Sequence, residues 1–135
     1  LRGVSQQDLR AAICRGESMA LSFPSKRVYG SAIVGGIIPI ALGTAMSIAR
    51  EGRDETVWCF IGDMTFETGT FHECHKYGVN HDLPIKFVIE DNGVSVCTDT
   101  RTVWGGPAQL GLDQVDRYKY KSKWPHAGAG QRVQF

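Results

Sequence analysis

Two short polar clusters hold the residues best suited to chemistry. Gly62-Asp63-Met64-Thr65 follows the apolar run Val57-Trp58-Cys59-Phe60-Ile61, and Asp91-Asn92-Gly93 follows a second apolar run at residues 85–89. Asp63 offers a charged oxygen and Asn92 a neutral carbonyl oxygen. Hard divalent cations take oxygen ligands, and Mg²⁺ typically combines one or two carboxylates with phosphate oxygens and water. A helix beginning after the first cluster would aim its unpaired N–H groups and its dipole at the same place, which favours a phosphate. Together the clusters read as a Mg²⁺–diphosphate site. The same residue types are also common turn formers and helix caps, so the pattern alone leaves both readings open.

The elements that must position these residues can be read from their flanks. Each apolar run is continuous and bounded by polar residues, the pattern of a strand buried on both faces. Between them residues 70–77 read as helix, and Leu83-Pro84 turns the chain. Strand, loop, helix, strand is a βαβ unit, so the sheet is expected to be parallel, with helices on both faces. Ligands of such a sheet bind beyond the carboxyl ends of its strands, where both clusters lie. Upstream, residues 8–15 have room for a turn or two of helix, and Phe23-Pro24-Ser25 and Gly30-Ser31 read as loop. Pro39 suits the start of a helix. Residues 40–50 then read as a helix that is apolar nearly all round, hence buried, with Gly52 as its C-cap. Residues 94–116 read as irregular with one short helix. From Arg117 the chain alternates Arg117, Lys119, Lys121 and Lys123 with Tyr118, Tyr120, Ser122 and Trp124, a strand period. Residues 132–135 are a candidate final strand.

Composition bounds the alternatives. The chain has 135 residues, 42% apolar and 21% charged, which fits one α/β domain and excludes a disordered or collagen-like chain. The most apolar stretch, residues 37–49, is about seven residues too short to span a bilayer, so no membrane partner is expected. Fifteen basic against fourteen acidic residues leave a charge of +1. No global field is available to draw in nucleic acid. The basic ladder from Arg117 then reads as a solvated edge strand. The four cysteines form no C-x-x-C pair and read as reduced thiols of an intracellular, cytoplasmic protein.

Twenty-eight residues separate Asp63 from Asn92. This spacing resembles the motif of thiamine diphosphate (ThDP) enzymes, which runs from Gly-Asp-Gly to Asn-Asn across a βαβ unit. Other segments resemble the alpha subunit of the 2-oxo acid dehydrogenase E1 component, in the same order. They are Gly16-Glu17-Ser18-Met19, Phe23-Pro24-Ser25, Gly30-Ser31-Ala32-Ile33-Val34-Gly35, Ile38-Pro39-Ile40-Ala41-Leu42-Gly43, Gly69-Thr70-Phe71-His72-Glu73 and Leu83-Pro84. The resemblance covers about residues 15–100. It implies a ThDP-binding fold, ThDP and Mg²⁺ as cofactors, and decarboxylation of a 2-oxo acid.

Carried over residue by residue, the resemblance makes Asp63 and Asn92 side-chain ligands of Mg²⁺ and the backbone carbonyl of Val94 a third. Gly62 and the N–H groups around Met64 and Thr65 meet the diphosphate. The backbone of Ala32 and Val34 meets the aminopyrimidine ring. The Glu that activates this ring belongs in the family to a separate pyrimidine domain, usually on the beta subunit. No such domain is present here, so a beta-type partner chain in a hetero-oligomer is expected. Residues 1–135 then form a single diphosphate-binding domain, either a fragment or a minimal split version. The sequence departs from the family at Met64 for Gly, Asp91 for the first Asn, Ser31-Ala32 for Asn-Gly, and Ala20 for a His. Asp91-Asn92 also resembles transketolases, which transfer a two-carbon ketol unit. Ala20 and Met64 leave open a non-catalytic scaffold derived from the fold.

Three further features carry weaker chemistry. His72, Glu73, Cys74 and His75 have histidines three apart and are expected to form a helix face packed on a partner, ahead of a metal site. Trp124-Pro125-His126 reads as a turn with an exposed His. Cys59 reads as core.

Overall fold

The computed structural model describes residues 3–17, 19–106 and 112–121. The chain divides into two compact units, at residues 1–37 and 38–135.

The N-terminal unit begins with helix α1 (Gln6–Cys14), longer than the turn or two expected. Ser5 caps it by accepting from the Asp8 N–H at 3.0 Å, satisfying one of the orphan donors of the first turn. A two-residue ladder of β1 (Ser22–Phe23) and β2 (Val28–Tyr29) closes over a 3-10 turn at Pro24–Lys26. Pro24 supplies the fixed φ that starts this turn. A turn at residues 33–36 follows, closed by the Gly36 N–H to the Ile33 carbonyl at 3.0 Å.

The second unit is built on a parallel sheet. Helix α2 (Ile37–Arg50) leads to β3 (Val57–Gly62), the single turn α3 (Asp63–Phe66), α4 (Gly69–Asn80) and β4 (Ile85–Asp91). A small hairpin of β5 (Val94–Ser95) and β6 (Thr98–Asp99) comes next, then α5 (Thr100–Trp104) and β7 (Val115–Lys119). The strand order is β3-β4-β7. Strands β3 and β4 run parallel in register from Val57↔Ile85 to Gly62↔Glu90. Strands β4 and β7 run parallel from Phe87↔Val115 to Asp91↔Lys119. The expected parallel α/β architecture is therefore present.

One sheet face forms the core. Cys59, Ile61, Ile85, Phe87 and Ile89 are buried there, and the Phe71 ring of α4 stands edge-on to Phe87 at 5.2 Å. Gly78 of α4 is where three elements meet. A Cβ built on it would lie 3.2 Å from Ile85 Cγ2 and 3.7 Å from Leu42 Cδ1 of α2. Glycine is accepted in the last turn of α4 here, at up to about 1 kcal/mol in propensity, because the sheet comes so close.

The other face departs from expectation. Trp58 and Phe60 alternate with the buried residues of β3 and stay 51% and 55% exposed. Strand β3 is thus buried on one face only. Helix α4 packs on the Phe87 face through Phe71 and Gly78. Polar pairs hold much of the open Trp58 face. Lys86 lies over the Trp58 ring at 5.3 Å and pairs with Asp116 at 3.0 Å, and the Tyr118 hydroxyl bonds Glu90. That hydrogen bond, above all, pushes the Tyr118 phenol up to about 12.

Helix α2 also differs from the all-round apolar helix expected. It buries Ile38, Ala41, Ala45 and Ile48 and leaves Ile40, Gly43 and Thr44 exposed, the one-sided stripe of a surface helix. It ends at Arg50, and the Gly52 N–H returns to the Ala49 carbonyl as expected of a C-cap region. The candidate strand at residues 132–135, Lys123 and the Trp124-Pro125-His126 turn lie outside the described residues.

Candidate functional site

The sheet brings the two polar clusters to neighbouring strand ends. Gly62 is paired with Glu90, so Asp63 follows one strand where Asp91 and Asn92 continue the next. Turn α3 lies against β4 and β5. Gly62 is extended, with φ −74° and ψ 161°, and serves as the N-cap of α3. A Cβ at Gly62 would meet open space, so protein packing does not require the glycine there. The first N–H groups of a helix have no partner within it, and at α3 these belong to Asp63, Met64 and Thr65.

Asp63 is the most unusual group of the site. It is 1% exposed, and its Oδ2 has no hydrogen-bond partner in the protein. A buried carboxylate oxygen without a partner costs several kcal/mol in effective desolvation. A divalent cation would supply the missing charge and the missing contact. The donor set fits a hard ion: the Asp63 carboxylate, the Asn92 amide oxygen and backbone carbonyls. Among the described residues no group of three or more His, Cys, Asp or Glu could hold a metal ion. In the His72-Glu73-Cys74-His75 segment of α4, Cys74 is buried, and His75 stacks on Phe71 at 5.4 Å and bonds the Asp113 carbonyl at 2.6 Å.

The second cluster is a tight turn. Asn92 Oδ1 accepts from the Val94 N–H at 3.1 Å, and Asp91 Oδ1 accepts from the Gly93 N–H at 3.0 Å. Gly93 has φ +78°, a left-handed conformation that favours glycine. An open pocket of about 230 Å³ adjoins this turn, lined by Asp91, Asn92, Gly93, Arg101, Lys119 and Tyr120.

Charges behind the turn were not foreseen from the sequence. Asp91 Oδ2 accepts from Arg117 Nε at 3.1 Å, Arg117 Nη2 at 2.5 Å and Arg101 Nη2 at 3.2 Å. Burial pushes the Asp91 carboxyl up. The hydrogen bonds and charge of Arg117, the Gly93 N–H and the charge of Arg101 outweigh that and hold it below the usual carboxylate value. Arg117 is therefore no member of a solvated ladder. Its side chain is 13% exposed and lies over the Phe66 ring at 5.9 Å. The alternation in the sequence signalled the strand, but the partner sits 26 residues away.

Met64 stands where the family motif has Gly. Its Sδ accepts from the Trp104 indole N–H at 3.1 Å, which ties the side chain to α5. Ala32 and Val34 lie in the N-terminal unit, and both are exposed. Val94 is 37% exposed at the start of β5.

The chain is 34% identical over 88 residues to the chloroplastic pyruvate dehydrogenase E1 component subunit alpha-3 of Arabidopsis thaliana, covering 58% of this chain and 21% of that one. It is 34% identical over 89 residues to the alpha subunit of the acetoin:2,6-dichlorophenolindophenol oxidoreductase of Bacillus subtilis, covering 64% and 27%. It is 40% identical over 86 residues to the pyruvate dehydrogenase E1 alpha subunit of Porphyra purpurea, covering 58% and 25%. The chain thus matches about a fifth to a quarter of the length of these curated relatives. A solved structure of a candidate thiamin diphosphate-dependent enzyme from Mycobacterium smegmatis aligns with TM-score 0.43 and 34% identity, over 50% of this chain and 12% of that one. The family model of the dehydrogenase E1 component matches residues 5–105, through both strand ends and the hairpin beyond them, and the chain belongs to that family.

Proposed function

We propose that this chain is the diphosphate-binding half of a ThDP- and Mg²⁺-dependent E1 component, alpha-type, which decarboxylates a small 2-oxo acid together with a pyrimidine-domain, beta-type chain. The observation that carries this reading is Asp63, a buried carboxylate whose Oδ2 has no protein partner, at the strand end beside the Asn92 turn. When bound, ThDP supplies the electron sink for breaking a bond next to a carbonyl.

The residues of this chain bind and orient. Asp63 and the Asn92 amide oxygen would take the metal, with the Val94 carbonyl as a third oxygen. The N–H groups of Met64 and Thr65 would hold the diphosphate, and Gly62 leaves space for it. The backbone of Ala32 and Val34 would face the aminopyrimidine ring. The Glu that activates this ring would come from the partner chain. Among the described residues no helix is long and apolar enough to cross a membrane. All four cysteines are free, which supports a reducing, cytoplasmic setting.

Asp91 favours a second reading, transfer of a two-carbon ketol unit, because transketolases accept Asp at that position. Turnover separates the two. Oxidative decarboxylation of a 2-oxo acid supports the first, and ketol transfer supports the second.

The binding test is a calorimetric titration of ThDP into the chain, with and without Mg²⁺, alone and with a beta-type chain. Mg²⁺-dependent binding that disappears in Asp63→Ala is the expected result. Equal affinity in Asp63→Ala would overturn the site. No ThDP-dependent turnover with any beta-type partner would favour a scaffold that has lost the chemistry.

A further inference from the structure

We infer that Arg101 is a positioning residue for the metal–diphosphate site, holding the turn after β3 and the turn after β4 at a fixed separation. This rests on the binding reading above. One guanidinium contacts both turns: Nη1 lies 3.5 Å from Glu67 Oε1 and Nη2 lies 3.2 Å from Asp91 Oδ2. Glu67 is the C-cap of α3, one turn past Asp63. Asp91 immediately precedes Asn92 and also receives the Gly93 N–H. Arg101 therefore joins the residue behind one proposed metal ligand to the residue behind the other. An arginine fork suits this task because its donors sit in a rigid plane, which an ammonium lacks.

Arg101 is itself well anchored. It lies in α5, whose first residue, Thr100, is fully buried and donates its N–H to the Gly93 carbonyl at 2.9 Å. Asp99 caps α5 by accepting from the Thr102 N–H at 2.6 Å. Trp104, one turn on, makes the second tie to α3 through Met64 Sδ. Charge balance for Asp91 does not by itself require Arg101, since Arg117 already donates to Asp91 twice. The two carboxylates and two guanidinium groups of this network cancel, which leaves the Asp63 charge for a cation.

A positioning role and a purely electrostatic one predict opposite signs. Removing a positive charge beside a cation site should tighten Mg²⁺ binding. Loosening the two turns should weaken it. The experiment measures Mg²⁺ affinity at saturating ThDP for the full chain, Arg101→Gln, Arg101→Lys and Trp104→Phe. It adds amide hydrogen exchange without metal and a urea melt for each. For Arg101→Gln, affinity should fall about tenfold or more, the usual cost of losing an outer-shell partner. Exchange should rise together at residues 63–66 and 91–94. Arg101→Lys should restore little, because a point charge cannot span both carboxylates. Trp104→Phe should speed exchange at residues 63–66 alone.

Tighter Mg²⁺ binding in Arg101→Gln, full rescue by Lys, or unchanged exchange in both segments would each overturn the inference. Failure of the parent reading looks different. There, the unmodified chain shows no Asp63-dependent Mg²⁺ uptake, while the exchange data still report whether Arg101 ties the turns.

Discussion

Asp63 carries an ionisable group that is almost fully buried, with one oxygen that the protein does not satisfy. This inverts the usual expectation for a mutation in a buried polar site. Replacing a buried carboxylate that has an unpartnered oxygen can leave the chain unharmed or stabilise it, because the cost of burying the charge disappears. Asp63→Asn should therefore melt in urea, in the presence of a chelator, at a stability equal to the parent or up to about 2 kcal/mol above it. Added Mg²⁺ and ThDP should stabilise the parent and not the variant. A loss of more than about 1 kcal/mol without metal would mean the carboxylate already has a partner. At this scale the sequence was informative where chemistry is local. Asp63 and Asn92 each end an apolar run, and the register brings those two strand ends together; their proposed role as ligands rests on the resemblance, not on the pattern alone. Arg101 and Arg117 were not recognisable, because their partner Asp91 belongs to another element and no local period points to it.

Among the elements, α4 shows how closely the sheet and helices are fitted. The Cβ position at Gly78 lies 3.2 Å from Ile85 Cγ2, closer than ordinary contact. Gly78→Ala gains about 1 kcal/mol of helix propensity and forces only a side-chain methyl to yield, so it should be close to neutral. Gly78→Val adds two methyl groups to the same gap and should cost about 1–3 kcal/mol by overpacking. A urea melt comparing the two checks this, and equal stability of both variants would mean the helix can lift off the sheet. Strands β3 and β4 were legible as apolar runs, and α4 as the segment between them. What misled was the open face of β3. Trp58 and Phe60 are apolar by type, so the run looked doubly buried, yet they point away from the Phe87 core. Helix α5 was visible only as one short helix in an irregular stretch. Its five residues depend on the Asp99 cap and on contacts with Met64, Glu67 and Asp91.

For the molecule as a whole, thiol accessibility gives a direct check on the fold. Cys14 and Cys97 are exposed, whereas Cys59 and Cys74 are buried. Burial first, and then the neighbouring Cys74, pushes the Cys59 thiol up to about 12. The nucleophile is the thiolate, so Cys59 is protected both by its pKa and by its cover. A neutral thiol reagent should modify two cysteines quickly in the folded chain and the other two only when urea is added. Fast modification of Cys59 in native buffer would contradict the core.

The paired ladder of β3 and β4 has one more consequence, for how this family member tolerates changes in length. Gly62↔Glu90 is the last rung between β3 and β4; α3 begins directly after it, and β4 runs one residue further, Asp91 pairing with Lys119, before the Asn92 turn. The ladder acts as a ruler. Deleting one residue within β4 would turn its side chains to the opposite face. Deleting two would restore the faces but draw Asn92 back by about 6.6 Å relative to Asp63, well beyond the reach of one shared ion. An added residue near His81, in the connection ahead of β4, leaves every rung intact. Insertions should therefore accumulate ahead of the strand, while the strand itself keeps its count.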